Sequence, residues 1–424
     1  MNGVVFVFPG QGAQWRGMGS ALLEQEPVFA AAIRECELAL EPYTDRSVTD
    51  VLAGRADADR IDVVQPALFA LQIGLARLWA ANGVVPAAVV GHSLGELAAA
   101  HVAGALTLAE AARVVGVRSR LYRRLSGAGA MALVGLGWEE TAALVAEQND
   151  HRRAAPEIPG AGRICLAAAN APGSTVVTGD HDAVHALVEQ LRWEDVFCRL
   201  VGADVAGHSH HVDPLLPELR EELAALVPNR AGIPLWSTVI GRPGAVLDAD
   251  YWCRNLREPV LFWPVIRQLL DAGYDTFVEL SPHPTLLSGL RGIDARLLAS
   301  VHKEDGAAFA GSLARLREVE LTADGPLGDH RVEGRPVFPG AGYLAAALEH
   351  SGALAGVEFH APLLLDTPRR LATRLDGAAI DLVVEGRTHA SASRATPDEN
   401  SPRPSRCSPT PSAPPPRTWT ATST

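Results

Sequence analysis

The sequence predicts an α/β protein built on a parallel sheet and carrying a small inserted βαββαβ subdomain of ferredoxin-like order. Three observations predict it. Short apolar runs alternate with helical stretches in the first third. Between Met131 and Val201 the order changes to strand, helix, strand, strand, helix, strand. The 424 residues, 47% of them hydrophobic, can bury more than one core.

Taken in order, Val4 to Phe8 is a short apolar run, Gln65 to Ala81 is an apolar helix closed by Gly83, and Ala87 to Val90 is a second run entering a glycine turn. Strands alternating with helices imply a sheet covered on both faces. The insert, about residues 130–202, opens with MALVGL and places helices over Trp138–Gln148 and Asp182–Arg192 and strands at ICLAAAN, TVVTG and VFCRLV. Helical stretches resume at Val212–Leu226 and Pro259–Ala272, and a strand at Thr276–Leu280 completes the sheet. The domain division is then 1–305, a helical linker at 306–320, a second unit at 321–387, and a Pro/Ser/Thr/Arg-rich tail at 388–424. That tail lacks the apolar content to offset chain entropy, so it is expected to be disordered, as an artificial or frameshifted end would be.

A formal net charge of −12 argues against a nucleic-acid or anionic-membrane partner, because either selects for a basic face. No apolar run in the sequence approaches the roughly 18 to 20 residues that span a bilayer. The start MNGVVFVFPGQG lacks the basic region of a signal peptide, so a cytoplasmic protein is expected. Five scattered cysteines without CxxC spacing indicate neither a disulfide framework nor a metal site.

Gly91-His92-Ser93-Leu94-Gly95 lies between the run AAVV and the helix former LGELAAAHVAGAL, the strand, sharp turn, helix context of a nucleophile elbow. Small residues tighten the turn and lift the Ser93 hydroxyl toward substrate. The Leu94 amide then points where an oxyanion forms. The serine needs a base. Lys303 is the one lysine and stands outside every motif, so the base is a histidine: His92, or one of His208, His210 and His211. An arginine fork pairs with a carboxylate, and Arg118, on the helix VVGVRSRLYRRL, is a candidate clamp beside Arg113, Arg120, Arg123 and Arg124. Spacing does not choose among these five.

Phe8-Pro9-Gly10-Gln11-Gly12, Gln65-Pro66-Ala67, Gly91-His92-Ser93-Leu94-Gly95-Glu96, Arg118, Asn170 and His208 occur in this order, followed by YWCRNLREPV from Tyr251 and SPHP from Ser281. From about Val4 to Val301 the chain therefore resembles the acyltransferase domain of modular polyketide synthases, relatives of malonyl-CoA:acyl carrier protein transacylase. The resemblance implies an α/β-hydrolase-like large subdomain with the ferredoxin-like insert. It implies that His208 takes the proton of Ser93, that Ser93 attacks the thioester of an acyl-CoA, and that the Gln11 and Leu94 amides hold the oxyanion. Arg118 would bind the free carboxylate of a malonyl-type unit, and the phosphopantetheine thiol of an acyl carrier protein would take the acyl group. No permanently bound cofactor and no metal are expected. Gln65, His92 and Asn170 match positions lining the family's site.

Extender choice in the family is read partly from Leu94 and from Val205-Ala206-Gly207-His208. That stretch matches neither HAFH nor YASH. Gly207 is expected to leave room for an α-substituent, whereas Leu94 accompanies malonyl, and the balance leans to methylmalonyl or ethylmalonyl.

From Leu321 to Arg387 the chain resembles the start of the same synthases' dehydratase domain, with His330, Gly334 and Pro339 in its HxxxGxxxxP pattern. The second catalytic half is missing, so no dehydratase activity is expected. With no ketosynthase before Met1, the expectation is a piece of a larger synthase, working with other modules, or a freestanding enzyme with an appendix. The alternatives are a thioester hydrolase or esterase, which shares the elbow chemistry, and an inactive docking fragment.

Overall fold

The structure, a computed structural model, describes residues 3–154, 162–202, 205–303, 308–316, 319–321, 330–332, 335–348, 354–365, 368–376, 379–385 and 387–394. Two compact units divide at Leu316/Arg317. In the first, the chain runs through β1 (Val4–Phe8), α1 (Ser20–Gln25), α2 (Pro27–Leu40), α3 (Val48–Leu52), α4 (Ile61–Ala81), β2 (Pro86–Gly91), α5 (Gly95–Val102) and α6 (Leu108–Tyr122). The insert follows as β3 (Ala130–Val134), α7 (Trp138–Ala154), β4 (Ile164–Ala171), β5 (Ser174–Gly179), α8 (His181–Trp193) and β6 (Cys198–Leu200). The first unit ends with α9 (Leu216–Glu222), β7 (Leu235–Ser237), β8 (Arg242–Pro243), α10 (Ala249–Arg257), α11 (Phe262–Asp271), β9 (Thr276–Glu279), β10 (Arg296–Ala299) and α12 (Ala308–Leu316).

The large sheet has the order β10-β9-β1-β2-β7-β8, parallel except for the short antiparallel edge strand β8. β1 and β2 are near-continuous apolar strands because both faces are covered. The insert forms a four-stranded antiparallel sheet, β4-β5-β3-β6, backed by α7 and α8 around a core of its own. The predicted α/β class with its βαββαβ insert is the fold observed.

Local differences have local causes. The helix expected over Val212–Leu226 splits into a 3₁₀ turn at His210–Leu215 and α9, since Pro214 and Pro217 each remove a helical donor. α11 starts at Phe262 rather than Pro259 because Val260 exchanges backbone hydrogen bonds with Ala167 and Ala169 of β4. α4 is long and apolar enough to cross a membrane by length and composition, against the sequence expectation, but 94% of its apolar window is buried as the core helix of the first unit.

The second unit contains β11 (Val319–Leu321), β12 (Arg331–Val332), β13 (Arg335–Pro336), α13 (Gly340–Leu348), β14 (Leu354–Phe359), β15 (Arg369–Asp376), β16 (Ala379–Val384) and β17 (Arg387–Arg394). Five strands, β11-β15-β16-β17-β14, make an antiparallel sheet over Phe338, Tyr343, Ile380 and Leu382. Residues 388–394, expected within the tail, lie in β17 instead. Ala390 and Ala392 turn inward on β17, which pairs with β14 through Arg394 and with β16 through Ser393. The rest of that expectation, 395–424, lies outside the described residues, as does Gly334. His330 Nδ1 donates to the Val337 carbonyl at 2.9 Å, and Pro339 accepts from Gly342 at the start of α13.

Candidate active site

The serine turn is made by close packing. A Cβ on Gly91 would stand 2.3 Å from Glu96 Cα, and one on Gly95 would stand 1.9 Å from the Phe8 carbonyl oxygen of β1. Only hydrogen fits at either place. Between them Ser93 takes φ 52°, a left-handed conformation that costs a non-glycine residue on the order of 1 to 3 kcal/mol. The surrounding hydrogen bonds hold it there. His92 N–H donates to Phe8 O at 2.8 Å, and Asn255 Nδ2 donates to Ser93 O at 3.2 Å.

Asn255 Nδ2 is also within 2.9 Å of Glu96 Oε2. Glu96 is 1% exposed, and its carboxylate accepts further from Tyr251 Oη at 2.6 Å and from Thr238 N and Oγ1 at 2.6 and 2.9 Å. Burial pushes the Glu96 pKa above its ordinary value, and the bonds from Tyr251, Thr238 and Asn255 oppose the rise. This network fastens the turn to β7 and α10. Glu96 was legible only as part of a motif, and its partners Thr238, Tyr251 and Asn255 carry no sequence signal of that role.

Ser93 Oγ lies 2.9 Å from His208 Nε2, across 115 residues of chain. His208 Nδ1 donates to the Glu258 carbonyl at 2.7 Å, which keeps the proton on Nδ1 and turns the Nε2 lone pair toward the serine. A backbone carbonyl thus does the orienting that a carboxylate does in a triad. The other candidate bases are engaged elsewhere. His92 Nε2 donates to Asn170 Oδ1 at 2.9 Å, while His210 and His211 reach Asp180 Oδ1 at 3.1 and 2.8 Å. Among the described residues those last three also form a group with the spacing to hold a metal ion, their ligand atoms lying within 4.8 Å of one another.

Burial lowers the His208 pKa to about 3; the bond to Glu258 opposes this, and the charge of Arg118 adds to it. The imidazole is therefore neutral and able to accept a proton throughout the neutral range. With His208 as the expected base, activity should fall as pH drops through a value well below that of free histidine. Single-turnover acylation is expected to stay flat from about pH 7 down to about pH 5. An acid limb centred near 6.5 would show that His208 works in a hydrated environment instead.

Arg118 is 2% exposed on α6. Its Nη1 donates to Gln65 Oε1 and its Nη2 to Ser93 Oγ, both at 3.0 Å, and its Nε is buried without a partner. Burial lowers its pKa to about 10, so it remains a cation, and no carboxylate among the described residues hydrogen-bonds to it. The neighbouring arginines have partners already: the exposed Arg120 pairs with Glu222, Arg123 with Asp62 and Arg124 with Glu218, while the part-buried Arg113 donates to the Glu222 carbonyl. A buried guanidinium beside a nucleophile and short of a counter-ion is poised for an anionic ligand.

The Gln11 and Leu94 amides make no hydrogen bond within the described residues, which leaves two donors free near Ser93. Gln65 Nε2 donates to Gln11 Oε1 at 3.0 Å, and Gln72 Nε2, from the buried face of α4, donates to Pro9 O at 2.6 Å, fixing the Pro9–Gly12 loop.

These groups line one cavity of about 630 Å³ between the large sheet and the insert. Gln65, His92 and Asn170 are on its wall; Val205, Ala206 and Gly207 are not. Val205 packs into the main core and Ala206 against Gly129. Gly207 is screened by Tyr122: a Cβ on Gly207 would lie 1.9 Å from the Tyr122 hydroxyl oxygen. The space expected to be free beside Gly207 is filled by a side chain from α6. Tyr122, with Phe197 and Arg199 of the insert, is a wall residue that sequence reading missed.

A strained serine facing a neutral imidazole at the carboxyl end of a central parallel strand, under an antiparallel insert, is the arrangement of an acyl-transfer enzyme. Comparison narrows the class. The acyl transferase domain family model matches residues 5–320, and the chain belongs to that family. A polyketide synthase dehydratase domain model matches residues 310–390. Erythronolide synthase EryA3 of Saccharopolyspora erythraea is 48% identical over 317 residues, which are 74% of this chain and 10% of that synthase. Polyketide synthase GfsB of Streptomyces halstedii is 46% identical over 325 residues, 73% of this chain and 6% of its own length. The chain thus spans a tenth or less of those relatives. Among solved structures, a loading acyltransferase from the avermectin modular polyketide synthase superposes with TM-score 0.69 at 44% identity, covering 74% of this chain and all of that one. The acyltransferase domain from module 8 of the salinomycin polyketide synthase gives TM-score 0.69 at 40% identity over 74% of each chain.

Proposed function

We infer that the first unit transfers a malonyl-type acyl group from coenzyme A to the phosphopantetheine thiol of an acyl carrier protein, within a modular polyketide synthase. The observation that carries this reading is Arg118, a buried cation with an unpartnered Nε, 3.0 Å from the serine hydroxyl. A carboxylated acyl chain would supply the missing anion and would displace the Arg118–Ser93 contact, freeing the nucleophile.

His208 Nε2 takes the Ser93 proton as Oγ attacks the thioester carbonyl. The oxyanion is held by the Gln11 and Leu94 amides. The carbon–sulfur bond then breaks, and the thiolate of coenzyme A leaves with the proton from His208, giving the acyl-serine ester. In the second half the carrier thiol gives its proton to His208 and attacks the ester, and Ser93 regains that proton as it leaves. A carboxylate bound to Arg118 offsets the charge that depresses the His208 pKa, so substrate binding would raise the proton affinity of the base. The cavity volume, about 630 Å³, is compatible with methylmalonyl or ethylmalonyl as well as with malonyl itself.

The test is intact-protein mass spectrometry after brief incubation with equimolar malonyl-, methylmalonyl-, ethylmalonyl- and acetyl-CoA. A carboxylated adduct that disappears on adding a phosphopantetheinylated carrier protein is expected. Hydrolysed esters without an adduct would make the protein a thioesterase, and intact esters without an adduct would make it an inactive docking piece.

A further inference from the structure

We propose that Tyr122 is the residue that limits the size of the α-substituent on the transferred acyl group, and that position 207 acts on selection only through it. The proposal rests on the acyl-transfer reading above and deepens it.

A malonyl-type group has two ends: a carboxylate, directed to Arg118, and a thioester carbonyl, directed to Ser93 and His208. The α-carbon lies between them, so its substituent points at whatever side chain flanks both ends. Tyr122 is that side chain. It lies one helical turn beyond Arg118 on the same face of α6, and the Arg118 Cζ is 5.8 Å from its ring centroid. Its hydroxyl reaches the backbone of Gly207, the residue before His208. The side chain therefore runs from beside Arg118 to the residue before His208, is 5% exposed, and forms cavity wall, whereas Val205, Ala206 and Gly207 do not.

The close approach also explains the glycine. Any side chain at 207 would begin 1.9 Å from the phenolic oxygen, nearer than any non-bonded contact allows, so Tyr122 would have to move, on this proposal into the cavity it lines. A serine at 207 would thus narrow the acyl site even though its own atoms need not line it. Glycine at 207 and tyrosine at 122 are a matched pair.

The experiment is competitive acylation by equimolar malonyl-, methylmalonyl- and ethylmalonyl-CoA, read as adduct ratios by mass spectrometry on the full chain. All three substrates use the same carboxylate clamp, so their ratio cancels both the fraction of folded enzyme and any weakening of Arg118. Tyr122→Ala is expected to raise the ethylmalonyl-to-malonyl ratio about tenfold or more, the usual scale of discrimination for one methylene against a wall. Gly207→Ser alone is expected to shift the ratio toward malonyl. In the double variant the serine should lose its effect, because the ring through which it acts is gone. If the wild type acylates but Tyr122→Ala leaves the ratios unchanged, the proposal is overturned while the acyl-transfer reading stands. If Gly207→Ser shifts the ratio equally with and without Tyr122, position 207 acts directly and the pairing is wrong. No adduct on the wild type would sink the acyl-transfer reading itself.

Discussion

Replacing Ser93 with alanine is expected to abolish acyl-enzyme formation, a loss on the order of a millionfold in rate, which is the scale seen when the nucleophile of a serine–histidine unit is removed. The expectation follows from what else the cavity offers. The hydroxyl is the oxygen that both His208 Nε2 and Arg118 Nη2 address, and it sits on a turn whose strained φ is held from beneath by Asn255 and the buried Glu96 network. Among the described residues no lysine or cysteine lines the cavity, and although Ser174, Thr285 and Ser288 also line it, Ser93 is the hydroxyl that faces His208 Nε2 at 2.9 Å. His208→Ala should cost nearly as much, and the double variant little more than either alone, because the pair works as one unit. Adduct mass after incubation with malonyl-CoA reads all three variants. An adduct at full level on Ser93→Ala would move the nucleophile elsewhere, and fully additive losses would separate the two side chains into independent roles.

What the sequence made legible was local. The run Val4–Phe8, the apolar helix ending near Gly83 and the turn from Gly91 to Gly95 depend on residues close in the chain; each is found, the helix starting at Ile61, four residues before its expected start at Gln65. The insert was legible for the same reason, since six short elements in βαββαβ order leave few packings. The proposed base was not legible by spacing. His208 meets Ser93 only because the whole insert loops out between α6 and residue 208; residues alone left it beside His92, His210 and His211, and only the family resemblance singled it out. The proposed clamp required burial: five arginines follow one another along α6 and the turn after it, and only the direction of each side chain separates the buried Arg118 from the other four. Gly207 misled for a physical reason. A small residue signals that space is absent from its own side chain, and not that the space is empty; here α6 supplies the ring that fills it. The strand over the first residues expected as tail has a similar cause, because Ala390 and Ala392 pack inward on β17 within a polar stretch of sequence.

Removing the charge of Arg118 while keeping its volume gives the second large effect. Arg118→Met is expected to lower acylation by malonyl-CoA by roughly 3 kcal/mol, about a hundredfold, the scale of a charge-assisted bidentate pair lost from a dry site. Acetyl-CoA carries no carboxylate and should lose far less, so the malonyl-to-acetyl ratio falls by nearly the full amount. Stability should move the other way or not at all. In the unliganded protein the guanidinium is buried with one nitrogen unpartnered, and such a cation costs folding free energy that a methionine of similar length does not. Losing the two contacts to Gln65 and Ser93 works against that gain, and Gln65 keeps its bond to Gln11. A melting temperature equal to or above that of the wild type, together with a collapsed malonyl-to-acetyl ratio, would mark Arg118 as a group retained for substrate at the expense of stability. A melting temperature well below wild type with an unchanged ratio would make it a structural cation and remove the carboxylate clamp from the mechanism.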